Sequence, residues 1–232
     1  MIKHPIKLKW KIISILALLL MVIVGYSVFF NNSLKKNTAN TEIESSQIAK
    51  SLEPIGKTNA KLDIVILADY ECFWCRQYFD QTIKPFLDSE INKYDVSLRY
   101  DLFANINSPS LLASEAAYCA NEQGKFWEAN EMLWQLKQTP DNTIDFSYDN
   151  IINTLSNINL DQNKLKNCLD THKYRDVILE RSQWYVNKYQ SLGFPTTFLN
   201  GKPIQMMIEG RMQDVGAISL SDFIQKIEQA MP

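Results

Sequence analysis

The apolar positions of this chain change their period along its length, and each change predicts an element. An uncharged run from Ile12 to Phe30, about nineteen residues, is long enough to cross a bilayer as a helix. Residues 31–56 are rich in Asn, Ser, Thr and charge and read as a polar tether, in which Ile43, Ile48 and Leu52 make only a weak stripe. Leu62 to Leu67 is a short apolar run suited to a buried strand. A helix opens near Cys72 and continues through Arg76 to Ser89, and Val96 to Phe103 alternates as a second strand. From Pro109 to Leu192 the period is helical throughout. Five helices are expected there: Leu111 to Glu122, Lys125 to Lys137, Tyr148 to Leu155, Gln162 to Leu169 and Tyr174 to Leu192. Gly124 and Pro140 punctuate them, with Asp161 as an N-cap and Gly193 as a C-cap. Strand character returns at Thr196 to Leu199. Asn200 and Gly201 then form a two-residue hairpin turn into Pro203 to Glu209, and a last helix spans Ser221 to Ala230.

This order predicts an α/β chain with one small mixed sheet, residues 57–108 and 193–232, interrupted by an all-helical insertion at 109–192 and preceded by one N-terminal transmembrane helix within 1–30. Lys3, Lys7, Lys9 and Lys11 precede the apolar run, so its basic end is expected to stay cytoplasmic. Trp10 on one side and Tyr26, Phe29 and Phe30 on the other suit the two interfaces. A cleaved signal peptide is the competing reading, since Gly25 and Ser27 are small residues two apart, but it leaves Val28, Phe29 and Phe30 apolar beyond the cut. Either way, everything after Asn31 is expected to be extracytoplasmic, on the periplasmic side of the membrane. The chain has 24 basic and 26 acidic residues; setting aside the four N-terminal lysines leaves 20 against 26, a net charge of −6. That mildly acidic surface offers no footprint for nucleic acid.

Four cysteines in an oxidising compartment form an even set with two kinds of spacing. Cys72, Phe73, Trp74 and Cys75 sit where a strand gives way to a helix. A Cys at a helix start faces unpaired N–H groups and the positive end of the dipole, which stabilise a thiolate, and the helix brings the second sulfur within disulfide reach. Redox exchange, an inert disulfide and half of a zinc site are the readings open to this pair. A four-Cys zinc site needs a second close pair, and Cys119 and Cys168 are far apart, so exchange is preferred and no metal is expected. Cys119 and Cys168 each lie in an amphipathic helical segment; a bridge between two helices comes first for them, two buried free thiols second. His4 and His172 lie in polar stretches and read as solvated. Trp127, Trp134 and Trp184 fall on helical spacing and read as core of the insertion. Met206, Met207 and Met212 are not taken as metal ligands, because adjacent strand residues point to opposite faces.

Three stretches resemble one family: D-Y-E-C-F-W-C-R-Q-Y-F (Asp69 to Phe79), C-A-N-E-Q-G-K-F-W-E (Cys119 to Glu128) and G-F-P-T-T-F-L-N-G (Gly193 to Gly201) are similar to the DsbA-like branch of the thioredoxin superfamily. The resemblance runs from about Ile55 to the C-terminus. It implies a thioredoxin fold with inserted helices and a thiol–disulfide oxidoreductase, without metal or organic cofactor, acting on cysteines of exported client proteins and reoxidised by a membrane redox partner. By it, Cys72 is the exposed nucleophile, Cys75 the buried resolving thiol and Pro195 a cis-proline facing them. Phe194, Phe73 and Trp74 supply an apolar rim for extended clients. The chain departs from the pattern twice. No Pro or His stands between the two cysteines, so a milder oxidant is expected, and the strand position six residues before Cys72 holds Ile66 rather than an acid. Glu71, Asp69 or water then has to exchange the proton of the resolving thiol. An isomerase or reductase kept in the dithiol state, and a non-catalytic chaperone or assembly factor on the same scaffold, are the alternatives.

Overall fold

The computed structural model describes residues 52–136, 144–189, 193–208, 211–214 and 216–232. At its centre lies strand β2 (Leu62–Ala68), which pairs in parallel with β3 (Val96–Leu102) and antiparallel with β4 (Thr196–Leu199). The edges are β1 (Ile55–Gly56), antiparallel to β3, and β5 (Lys202–Pro203), antiparallel to β4. The five-stranded sheet therefore runs β1, β3, β2, β4, β5. Alternation along β2 sorts its side chains onto two faces: Leu62, Ile64, Ile66 and Ala68 join the main core, while Val65 and Leu67 join a smaller cluster with Phe103, Tyr185 and Phe198.

Helix α1 (Phe73–Tyr78) follows β2 and runs through a π-helical turn, Phe79–Ile83, into α2 (Lys84–Ser89), with helical backbone angles at both junctions. The wide turn buries Phe79, Thr82 and Ile83 together. Thr82 Oγ1 donates to the Ile218 carbonyl at 2.6 Å, which ties this helix to the segment before α8 (Leu220–Ala230). Helices α3 (Ser110–Asn121), α4 (Phe126–Trp134), α5 (Tyr148–Leu155), α6 (Gln162–Asp170) and α7 (Arg175–Lys188) form the helical block between β3 and β4. Asp161 caps α6 by accepting from the amides of Asn163 and Lys164 at 3.0 and 3.1 Å. Cys119 of α3 and Cys168 of α6 are joined by a disulfide across a sequence separation of 49. Closing a loop of that length restricts the unfolded chain and contributes on the order of 4 kcal/mol in the chain-entropy account.

Several sequence expectations change against these coordinates. The folded part begins before residue 57: Leu52 is fully buried, and Ile55 and Gly56 form β1 instead of ending a tether. Gly56 has φ +106, and a Cβ there would meet the Val96 carbonyl oxygen at 2.4 Å, so the glycine permits this close strand contact. Asn200 and Gly201 make the expected turn at φ 47 and 76, but the following strand is broken. Lys202 and Pro203 pair with β4, whereas β6 (Gln205–Ile208) pairs with β7 (Arg211–Asp214) in a separate two-stranded sheet. Helix α7 stops at Lys188, so Gly193 is not its C-cap; Tyr189 donates its amide to the Tyr185 carbonyl at 3.0 Å. The tryptophans do not fill a separate insertion core. Trp134 lies against Tyr70, Phe79 and Tyr100, at ring-centroid distances of 4.5, 5.9 and 6.4 Å, and so packs the helical block onto the sheet and α1. Trp184 packs in the smaller cluster on the other sheet face. His172 is half-exposed, yet its Nδ1 lies 3.0 Å from the buried Glu115 carboxylate. No helix among the described residues is long and apolar enough to cross a membrane; the run Ile12 to Phe30 lies outside them.

Candidate functional site

The central strand β2 ends at Ala68, and a turn closed by the Cys72 amide on the Asp69 carbonyl, 2.9 Å, leads the chain into α1. Cys72 is the N-cap of α1, with extended backbone angles of φ −74 and ψ 116, and its sulfur accepts from the Cys75 amide at 3.3 Å. Cys75 lies one turn on, 2% exposed, and both thiols are free. Opposite them the Phe194–Pro195 peptide is cis, and the Cys72 thiol donates to the Phe194 carbonyl at 3.6 Å. Pro195 is buried. The two sides are locked together below the sulfurs, where the hydroxyls of Tyr78 and Thr197 lie 3.0 Å apart. Thr196 Oγ1 steadies the proline loop by donating to the Gly193 carbonyl at 2.7 Å. Phe73 and Trp74 stand in solvent, 52% and 59% exposed, edge to face at 5.2 Å, while Phe194 rests on Phe103 at 4.6 Å.

The two sulfurs have opposite electrostatics. Cys72 is drawn down from 9.0 to about 7, chiefly by the hydrogen bond with the Cys75 side chain, with help from the amides of Cys75 and Trp74 and against partial burial and the Asp69 charge. Burial, then the same hydrogen bond, pushes the Cys75 thiol far above the ordinary range. At neutral pH a thiol with a pKa of about 7 holds roughly fifty-fold more thiolate than one at 9.0. Its weaker intrinsic nucleophilicity removes about tenfold of that, leaving a net gain of about fivefold in attack, and the same sulfur leaves more readily. The pH sign follows: Cys72 is protonated and sluggish below about 7 and ionised above it. Alkylation of the reduced full-length protein by iodoacetamide is expected to rise with a midpoint near 7, with Cys72 as the modified residue by mass spectrometry; a midpoint near 9 refutes this electrostatic account.

Asp69 stands just before the pair, partly buried, and burial raises its carboxyl above the usual carboxylate range. Its Oδ1 accepts from the Glu71 amide at 2.9 Å and from Ser110 Oγ at 2.6 Å. Ser108 Oγ lies 2.6 Å from Ser110 Oγ and donates to Glu71 Oε2 at 2.9 Å. Sequence reasoning assigns nothing to Ser108 and Ser110, since Pro109 between them reads only as a helix start. Ile66 is fully buried in β2 between Tyr100 and Thr197 and brings no polar atom to the site. Cys119 and Cys168 are bonded to each other and so are not available as further ligands for a metal at Cys72 and Cys75. Among the described residues no group of three or more His, Cys, Asp or Glu side chains is placed to hold a metal ion.

Comparison with curated protein sequences yields no match. Solved structures with the same fold include oxidised BdbD from Bacillus subtilis, 19% identical, with a TM-score of 0.64 over 79% of this chain and 94% of that one. Wolbachia pipientis α-DsbA1 is 18% identical, with a TM-score of 0.61 over 78% and 90% of the two chains. Chlamydia trachomatis DsbA is 12% identical, with a TM-score of 0.60 over 77% and 90%. A thioredoxin family model matches residues 50–214, the stretch that holds β2, the helix start at Cys72, the helical block and the proline loop. The chain thus belongs to the thioredoxin family, in the form with inserted helices that the DsbA proteins share.

Proposed function

We propose that the protein is a thiol–disulfide oxidoreductase anchored in the cytoplasmic membrane by residues 1–30, with its folded part on the extracytoplasmic, periplasmic side. In this reading it passes a Cys72–Cys75 disulfide to cysteines of exported proteins and is reoxidised by a membrane redox partner. The observation that carries the reading is a partly exposed, acidified Cys72 sulfur, 3.6 Å from the Phe194 carbonyl, paired with a buried Cys75 thiol held protonated. Such a pair attacks from one side and resolves from the other. Phe73, Trp74, Phe194 and Pro195 bind the client: the backbone around Phe194 reads an extended strand, and the two exposed rings give apolar grip without sequence choice. Residues 31–51 act as a tether, 109–192 as a helical insertion into the thioredoxin domain, and the Cys119–Cys168 bridge is structural.

The pKa of about 7 at Cys72 favours keeping a second reading, a reductase or isomerase held as the dithiol. Strongly oxidising members of this superfamily stabilise the reduced thiolate far more, and a value near 7 is that of a mild couple. Acid quenching of intact cells followed by thiol trapping separates the two. Cys72 and Cys75 mostly oxidised is the expected result; mostly reduced assigns the protein to the reductase or isomerase class.

A further inference from the structure

Two pieces of backbone meet at the reacting sulfur: α1, which Cys72 opens, and the loop before β4, which carries the cis peptide. β4 is held to the sheet by pairing Thr196 with Leu67 and Thr197 with Ile66, while α1 enters from the turn closed between Asp69 and Cys72. At the mouth of the site the two pieces touch through the Cys72 thiol and the Phe194 carbonyl at 3.6 Å. That contact does not last through the chemistry. Its hydrogen exists only on the reduced thiol, and it is gone in the thiolate, in the Cys72–Cys75 disulfide and in a mixed disulfide with a client.

Deeper in the site the same two pieces meet again. Tyr78 follows Cys75 by three residues on the same side of α1, and its hydroxyl lies 3.0 Å from Thr197 Oγ1. Both residues are enclosed, at 2% and 1% exposure. The Tyr78 ring stands edge to face on Phe223 of α8 at 6.2 Å, and the Thr197 carbonyl accepts from the Ile204 amide at 2.8 Å, so each partner is anchored independently of the other. Neither hydroxyl changes charge while the sulfurs do. Burial raises the Tyr78 phenol above its ordinary range, and a threonine hydroxyl does not titrate. Whichever oxygen donates, this bond persists in every redox and protonation state of Cys72.

We propose that the Tyr78–Thr197 hydroxyl pair fixes the spacing between Cys72 and the proline loop throughout exchange, and that this fixed spacing makes the site prefer extended peptide strands to small thiols. The proposal rests on the exchange reading above. A peptide client must satisfy two demands at once: backbone pairing with the residues around Phe194, and a sulfur in line with the Cys72 sulfur. The distance between those two points on the client is set by its own backbone, so it fits only a gap of constant width between loop and helix. A gap that wanders takes the peptide out of reacting geometry. A small dithiol touches the sulfur alone and is indifferent to the loop. Tyr78 and Thr197 touch neither the client nor the reacting atoms; they are positioning residues that act through α1 and β4.

The test compares the preoxidised full-length parent with Tyr78→Phe, Thr197→Val, Thr197→Ser and the double variant of Tyr78→Phe with Thr197→Val, each reacted in single turnover with a two-cysteine peptide and with dithiothreitol. Tyr78→Phe and Thr197→Val are each expected to slow the peptide reaction roughly three- to tenfold, the scale of one neutral hydrogen bond, and to leave the dithiothreitol rate within about twofold of the parent. Thr197→Ser keeps a hydroxyl and is expected to keep the parent peptide rate. The double variant separates positioning from support of the fold. It leaves no hydroxyl buried without a partner, so its stability in urea is expected to recover toward the parent while its peptide rate stays as low as in either single variant. Parent-like peptide rates in both single variants, equal losses with peptide and dithiothreitol, a Thr197→Ser loss as large as that of Thr197→Val, or a double variant whose peptide rate recovers with its stability each overturn the positioning role while exchange stands. A parent that passes its disulfide to neither reactant overturns the exchange reading, and the proposal with it. Thr197→Val against Thr197→Ser keeps the test decisive if Tyr78→Phe disturbs folding.

Discussion

Cys72→Ser is expected to reduce disulfide exchange by the full-length protein to background, because a serine hydroxyl stays protonated where the thiol, at about 7, is half ionised. The loss should exceed about a thousandfold, the scale on which removal of a nucleophile is read. Cys75→Ser is expected to fail differently. Its Cys72 still attacks, but nothing buried beneath it resolves the product, so covalent client adducts build up on Cys72 and appear on non-reducing gels as species that dithiothreitol dissolves. The pair of variants also separates an enzyme from a scaffold: if Cys72→Ser supports full biological function, the protein works by holding partners, not by exchange.

Asp101→Ala carries the second large effect, on stability. Asp101 leaves β3 on the face covered by α7, where it accepts from Arg181 and from the Tyr185 hydroxyl. Both charged side chains are enclosed, at 8% and 5% exposure. Removing the carboxylate takes the opposite charge away from an enclosed guanidinium, and breaking a buried pair in this way costs about 3–5 kcal/mol. Urea denaturation of the full-length variant, read at constant m-value, measures it. A loss below about 1 kcal/mol would show that Arg181 finds water or other partners once the carboxylate is gone. The pair is not expected to matter for exchange chemistry, since Asp101 is in register with Leu67, whose cluster lies on the sheet face opposite the main core that holds Cys75.

How far these features could be read beforehand depends on how local they are. The apolar run of β2, the alternation of β3, the Asn200 and Gly201 turn and the Asp161 cap all follow from contacts within a few residues, and the chain states them outright. The strand expected after that turn breaks because pairing with β4 stops at Pro203 and β6 takes β7 as its partner instead. Sequence reasoning places Leu52 and Ile55 in a polar tether because Leu52 belongs to no more than a weak stripe and Ile55 to none; only the sheet edge and core they meet give them a place. The π turn at Phe79–Ile83 was equally hidden, since one extra residue in a turn leaves an apolar helix pattern almost unchanged.

The sequence alone determined the two-residue interval between Cys72 and Cys75, the strand before it and the helix it opens, because strand alternation and helix capping are short-range sterics and hydrogen bonding. It left open whether Cys119 and Cys168 meet, and it was silent about which hydroxyl reaches Asp69 and which cation meets Asp101. Those answers lie at separations of 49, 41 and 80 residues. Only tertiary packing decided them: when helices close over both faces of a sheet, each polar group they enclose must find a partner from a distant part of the chain or remain unsatisfied, and no local pattern records which partner that is.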